Sequence, residues 1–141
     1  MFSFWKNTGR RWQMKKLLLP LLDEMERNLE KYYVMDQRQF IESGFEMDAW
    51  IKAQKLKDFN FDERLKHYAY ILEEFNKFYA AFKEYERWYA SDLNNKTAEN
   101  AKVLHSQKQE LEKRMKKLDR VIIPAGQVLE KKLLELKIIK Q

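Results

Sequence analysis

His67 and His105 are the only imidazoles in this sequence, and no cysteine accompanies them. A di-metal carboxylate site inside a helical bundle draws on paired Glu-x-x-His motifs, each with a Glu three residues ahead of its His. Arg64 and Lys102 stand at those positions instead. Glu63 precedes His67 by four residues, but both flank the apolar pair Leu65 and Tyr68 rather than extend it. No metal site is expected. Without cysteine there is no thiolate nucleophile and no thiolate zinc centre. Ser3, Ser43, Ser91 and Ser106 are the only serines, and none sits in a Gly-x-Ser-x-Gly turn. Gly9, Gly44 and Gly126 are far apart, whereas a phosphate-cradling loop needs several glycines close together. Adjacent acids such as Asp23–Glu24, Asp62–Glu63 and Glu73–Glu74 diverge around a helix instead of converging on a substrate. The expectation is a protein that is not an enzyme and holds no cofactor.

Binding chemistry is better represented. Residues 1–20 hold Lys6, Arg10, Arg11, Lys15 and Lys16 and no acid, with Phe4, Trp5 and Trp12 set among them. Rings resting at headgroup depth, beside cations that meet anionic lipid, suit a membrane interface. Stacking rings plus phosphate-binding cations also suit a nucleic-acid strand. In a third reading the rings pack on the body of the protein while the cations meet its acids. Phe4, Trp5, Lys6, Arg10, Arg11, Trp12, Lys15 and Lys16 are thus candidate contacts for a membrane or a protein partner. A second cluster, Lys113, Arg114, Lys116, Lys117 and Arg120, offers candidate phosphate contacts. No aromatic residue follows Tyr89, so stacking is absent there and nucleic acid is the less favoured partner.

The elements that must position these residues are helical. Only 3 Gly and 2 Pro in 141 residues leave few places for tight turns, which argues against a many-stranded sandwich or barrel. A content of 35% charged and 14% aromatic residues also excludes a disordered chain, because the rings supply apolar surface to bury. Leu18, Leu21, Met25, Leu29 and Tyr32 recur at helical spacing and predict a first helix over 17–34, starting near Trp12 with a bend at Pro20. Residues 35–60 read as a crossover, with a turn at Ser43–Gly44 and a short helix capped by Asp48. Asn60 with Glu63 reads as a capping box opening a helix through residue 92. Its stripe is Leu65, Tyr68, Leu72, Phe75, Tyr79 and Phe82. That stripe serves a bundle core or, less favoured, an apolar-ligand pocket. Buried tyrosine hydroxyls need partners, and Asn28 and Asn76 at the stripe edges are candidates. A fourth helix begins at Thr97 and is bent or broken by Pro124.

The predicted fold is therefore all-α, an up-and-down bundle of about four main helices with one or two short helices in the 35–60 crossover. A basic aromatic arm or short helix, residues 1–16, precedes a single 17–141 bundle domain. The net charge of +6 is segregated: +5 over residues 1–20, −5 over 21–100 and +6 over 101–141. The apolar block of residues 17–22 is far too short to span a bilayer. The expected function is that of a cytoplasmic, non-enzymatic interaction or scaffold protein, peripheral to an anionic membrane through its N-terminus. An unidentified protein or a second copy of the chain is the other partner considered. A nucleic-acid-associated protein using both basic segments, and an apolar-ligand carrier, are the alternatives.

Overall fold

The computed structural model describes the backbone of residues 2–140 and the side chains of residues 9–140. Five helices follow in chain order: α1 (Phe2–Arg38), α2 (Asp48–Ala53), α3 (Glu63–Ser91), α4 (Ala98–Leu118) and α5 (Ile122–Glu135). One turn of 3₁₀ helix, Leu93–Asn95, joins α3 to α4, and no strand occurs among the described residues. The four long helices and the short α2 make the all-α bundle that the periodicity predicts.

The 37 residues of α1 span about 55 Å. The helix passes residue 16 without a break, so residues 2–16 are its first turns rather than an element apart. Pro20 lies inside α1, on its exposed side. There the Lys16 carbonyl that loses its partner faces water. The buried stripe is Leu18, Leu21, Met25, Tyr32 and Met35, with Glu24 and Asn28 as its polar members. The Tyr32 phenol is pushed up to about 12 by burial, with Asp119 adding to the shift.

Two helix ends differ from the sequence reading. The cap of α3 is Asp62, whose carboxylate accepts the Arg64 N–H at 2.9 Å, and not Asn60. Between them Phe61 is buried, which leaves Asp62 as the residue at the helix mouth. Pro124 breaks rather than bends the last rod. Helix α4 stops at Leu118, and Pro124 falls at the third position of α5, where its missing N–H has no intrahelical partner to lose.

Side-chain meetings fix the topology. Asn28 of α1 meets Tyr68 of α3, Glu74 of α3 meets Arg114 of α4, and Arg11 of α1 meets Lys137 just beyond α5. Helices α1 and α3 therefore run one way, and α4 followed by α5 runs back. The remaining rod is the crossover itself. Residues 40–58 descend between α1 and α3, with Glu42 at Tyr79, Glu46 at Asn28, Ala49 at Glu24 and Asp58 at Arg10.

Residues 40–47 of this strap have no helix or ladder of their own, so their backbone groups must find partners elsewhere. Asn28 accepts the Glu46 N–H at 2.9 Å and donates to the Glu46 carbonyl at 2.9 Å. Asn76 does the same for the adjacent residue, accepting the Phe45 N–H at 2.8 Å and donating to its carbonyl at 2.9 Å. Tyr79 donates to the Glu42 carbonyl and Lys31 to the Gly44 carbonyl. The Glu24 carboxylate accepts the Ala49 and Trp50 N–H groups at 2.8 and 3.1 Å, so α2 is capped from α1 and not by Asp48. The strap's own side chains Phe45, Ala49, Ala53 and Leu56 complete the core.

Ser43–Gly44 is accordingly no turn but part of the extended strap. Glycine is needed for close approach, since a Cβ on residue 44 would stand 2.7 Å from Asn76 Oδ1. Gly44→Ala is expected to push Asn76 off Phe45 and to lower the unfolding free energy by about 1–3 kcal/mol, measured by urea titration. A variant as stable as the parent would show that the strap shifts freely there.

The two chain reversals at Gln39 and Lys137 are both left-handed, with φ of 52° and 59°. Each closes a Schellman-type helix end: Phe40 N–H bonds the Met35 carbonyl, and Ile138 N–H bonds the Leu133 carbonyl.

Candidate functional site

The fully buried residues of α1 begin at Leu18, with Met14 and Leu17 packed in part against the core, which leaves the described side chains before Met14 outside it. Two guanidinium groups fasten this stretch. Arg10 Nη2 donates to the Asp58 carbonyl at 3.2 Å, and Arg11 Nη2 donates to the Lys137 carbonyl at 2.8 Å. Both use backbone oxygens, not carboxylates. Among the described residues no ion pair involves Arg10, Arg11, Lys15 or Lys16. Lys16 does border a depression that Asp23, Glu24, Glu46 and Asp48 of the acidic middle also line, without closing on any of them.

Trp12 is 63% exposed. It stands nine residues, about two and a half turns, before Leu21 and so lies on the opposite side of α1 from the core. Lys16, one turn later, holds its Nζ 4.9 Å from the Trp12 ring centroid. Trp12, Lys15, Lys16, Leu19 and Pro20 line one shallow surface depression. The face thus carries an indole, two ammonium groups and a little aliphatic surface. Phe4, Trp5 and Lys6 belong to the same candidate set but lie outside the described side chains.

The structure also brings the two basic ends of the sequence together. The Arg11–Lys137 bond places the last residues of the chain, with Lys137 and Lys140, beside the start of α1. Nothing in the linear pattern of charge announces that meeting, because the contact is made to a backbone carbonyl.

The second candidate cluster divides. Lys113, Lys116, Lys117 and Arg120 line an open cleft of about 530 Å3 between α3 and α4, together with His67, Ile71 and Val121. Arg114 is not among them. Its Nε lies 3.2 Å from Glu110 Oε1, its Nη1 lies 3.9 Å from Glu74 Oε2, and its guanidinium carbon sits 3.6 Å above the Phe78 ring. It ties α4 to α3. His67, which the sequence reading set aside as a metal ligand, is the residue that reading missed as a neighbour of this cluster. Among the described residues no group of acids and histidines is arranged to hold a metal ion.

The aromatic stripe of α3 is packed rather than open. Phe75 meets Phe45 edge-on at 5.1 Å and stacks on Tyr79 at 6.4 Å, while Trp50 and Phe59 close over Phe61. Asn28 donates to the Tyr68 hydroxyl at 3.0 Å, as the stripe edges suggest, and burial pushes that phenol well above its usual range. Asn76 instead serves the backbone of Phe45. Trp12 is one of several exposed rings, with Tyr33, Phe40, Tyr70 and Trp88, and it carries a lysine ammonium over its face. No helix among the described residues is long and apolar enough to cross a membrane. No protein-family model, curated protein or solved structure matches the chain.

Proposed function

We propose that this protein is a non-enzymatic interaction module of the cytoplasm that docks on an anionic membrane surface through the first turns of α1. The observation that carries this reading is Trp12, turned away from the core of its own helix and flanked by Lys15 and Lys16. An indole of that exposure gains by entering the headgroup layer, where its ring is desolvated and its N–H stays wet. Each lysine or arginine near an anionic leaflet adds about 1 kcal/mol of attraction. Arg10 and Arg11 hold the helix to the bundle through carbonyl oxygens, so the docking face is ordered before it meets lipid. The membrane is preferred to a nucleic-acid strand because the cleft lined by Lys113, Lys116, Lys117 and Arg120 has no Phe, Tyr or Trp in its walls, which leaves the larger rings to the N-terminal stretch.

Co-sedimentation with vesicles of phosphatidylcholine, with and without phosphatidylserine, tests the proposal. The parent protein is expected to bind the anionic vesicles, and to release them as salt is raised. Lys15→Gln with Lys16→Gln removes about 2 kcal/mol, a roughly thirtyfold loss of partitioning. Trp12→Ala reduces the blue shift of tryptophan emission on binding. Equal sedimentation with neutral and anionic vesicles, or none with either, would refute the reading.

A further inference from the structure

The cleft between α3 and α4 holds a concentration of charge that the docking face does not use. Lys113, Lys116 and Lys117 share one face of α4, opposite the buried Leu111, Met115 and Leu118, and Arg120 follows in the turn just past the helix end. Like charges at three- and four-residue spacing repel and weaken a helix. Among the described residues no ion pair relieves these four, although cations close by are paired: Lys77 with Glu73 and Glu74, Lys66 with Glu63, Arg114 with Glu110. The acids around the cleft are engaged elsewhere or face away. Glu74 meets Arg114, Asp119 acts on Tyr32 of α1, and Glu112 and Asp36 border a neighbouring depression that they share with Lys116 but not with Lys113, Lys117 or Arg120. From α3 the cleft receives His67 and Ile71, and no carboxylate lines it.

The extent of the cluster narrows the ligand. From Lys113 to Arg120 is about 10 Å along the helix, enough for adjoining phosphates and more than one phosphate requires. On the N-terminal side the same face continues with neutral Gln109 and Ser106, and the helix itself ends at Leu118, just before Arg120. A polymer backbone would need a longer track. No Phe, Tyr or Trp lines the cleft, so the His67 imidazole is the one ring there that a base could meet. We propose that the α3–α4 cleft binds a compact anion bearing two or more clustered phosphate groups, held by Lys113, Lys116, Lys117 and Arg120 with His67 as the facing donor. This site stands apart from the docking face: Asp119 is level with Tyr32, twenty residues or about 30 Å along α1 from Trp12.

Isothermal titration with sodium tripolyphosphate, in the absence of lipid, reads the site directly. The full chain is expected to bind it, and to bind orthophosphate far more weakly. Lys113→Gln with Lys117→Gln removes two charge-assisted contacts and lowers affinity at least about tenfold. The same double variant is expected to melt at a higher temperature than the parent without anion, since repulsion is relieved, which also shows that it folds. Lys15→Gln with Lys16→Gln leaves the affinity unchanged and separates this site from the membrane reading. A second arm uses phosphatidylcholine vesicles containing phosphatidylinositol bisphosphate. Binding to tripolyphosphate identifies a free anion, whereas binding confined to those vesicles and lost in Lys113→Gln/Lys117→Gln identifies a lipid headgroup of the same chemistry. Three results would overturn the proposal: no binding in either arm, binding indifferent to the double substitution, or a single-stranded oligonucleotide that displaces tripolyphosphate at equal charge concentration.

Discussion

Asn28→Leu should destabilise the protein by about 3–5 kcal/mol, a loss comparable to the whole stability of a marginal domain. The side chain is fully buried, and leucine fills nearly the same volume, so the effect isolates hydrogen bonding from cavity formation. Three bonds disappear together: from the Glu46 N–H, to the Glu46 carbonyl and to the Tyr68 hydroxyl. Their former partners stay behind in a site with little access to water, and each unpaired group costs about 1–3 kcal/mol. Urea titration gives the magnitude. Hydrogen exchange gives the mechanism: the Glu46 amide, slow in the parent although it belongs to no helix, should exchange at close to the rate of an open loop in the variant. A Glu46 amide that remains slow would mean that the strap is held by Phe45 and Ala49 packing alone. Asn76→Leu should follow the same pattern more weakly, because Asn76 is only half-buried and water can replace it.

The second large effect is expected at Glu24. Its carboxylate is 2% exposed and accepts both N–H groups at the start of α2. A six-residue helix cannot sustain itself in water, so α2 depends on this cap and on the burial of Ala49 and Ala53. The negative charge also lies at the positive end of the short helix. Glu24→Ala leaves two buried donors unpaired and should cost about 2–4 kcal/mol. Glu24→Gln keeps one acceptor but turns an NH2 group toward a backbone N–H, so about 1–2 kcal/mol is expected. The order Ala worse than Gln, read from thermal or urea midpoints, distinguishes a hydrogen-bonding role from a steric one. Gln equal to or worse than Ala would contradict the cap.

The helices were legible because a buried face leaves a period in the sequence. Leu18, Leu21 and Met25 in α1, and Leu65 through Phe82 in α3, announce themselves at three- and four-residue steps and are core. The strap was not legible, because what holds it is recognition of main chain, and every residue has the same main chain. Asn28 and Asn76 stood out as polar residues at stripe edges, yet nothing in the sequence says that Asn76 binds a peptide group while Asn28 also meets a phenol. Glu24 carried one unread signal: it falls three residues after Leu21 and four before Asn28, inside a stripe where an acid is out of place. Gly44 misled because glycine marks both turns and close contacts, and only the distance to Asn76 separates the two. At the candidate sites, the basic and aromatic composition of residues 10–16 was visible, and the nine-residue step from Trp12 to Leu21 carried its phase, but the bonds of Arg10 and Arg11 to distant carbonyls were not. Arg114 looked like its lysine neighbours, and the difference lies across the helix pair in Glu74 and Phe78.

Recognition of the strap through successive peptide groups also sets how the chain tolerates changes in length. Phe45 turns its N–H and carbonyl toward α3, and Glu46 turns its own toward α1, as a strand alternates between two neighbours. Glu24 then takes up the chain three residues later, one helical turn before Asn28 on the same helix. Between residues 45 and 49 a single insertion or deletion reverses that alternation and uncouples the two asparagines from Glu24. Residues 54–60 are mostly exposed, turn at the left-handed Asp58, and are held at fewer points, by Leu56 in the core and by the Arg10 bond to the Asp58 carbonyl. Length variation among natural or engineered forms of this protein should therefore collect in the second stretch and stop at the first.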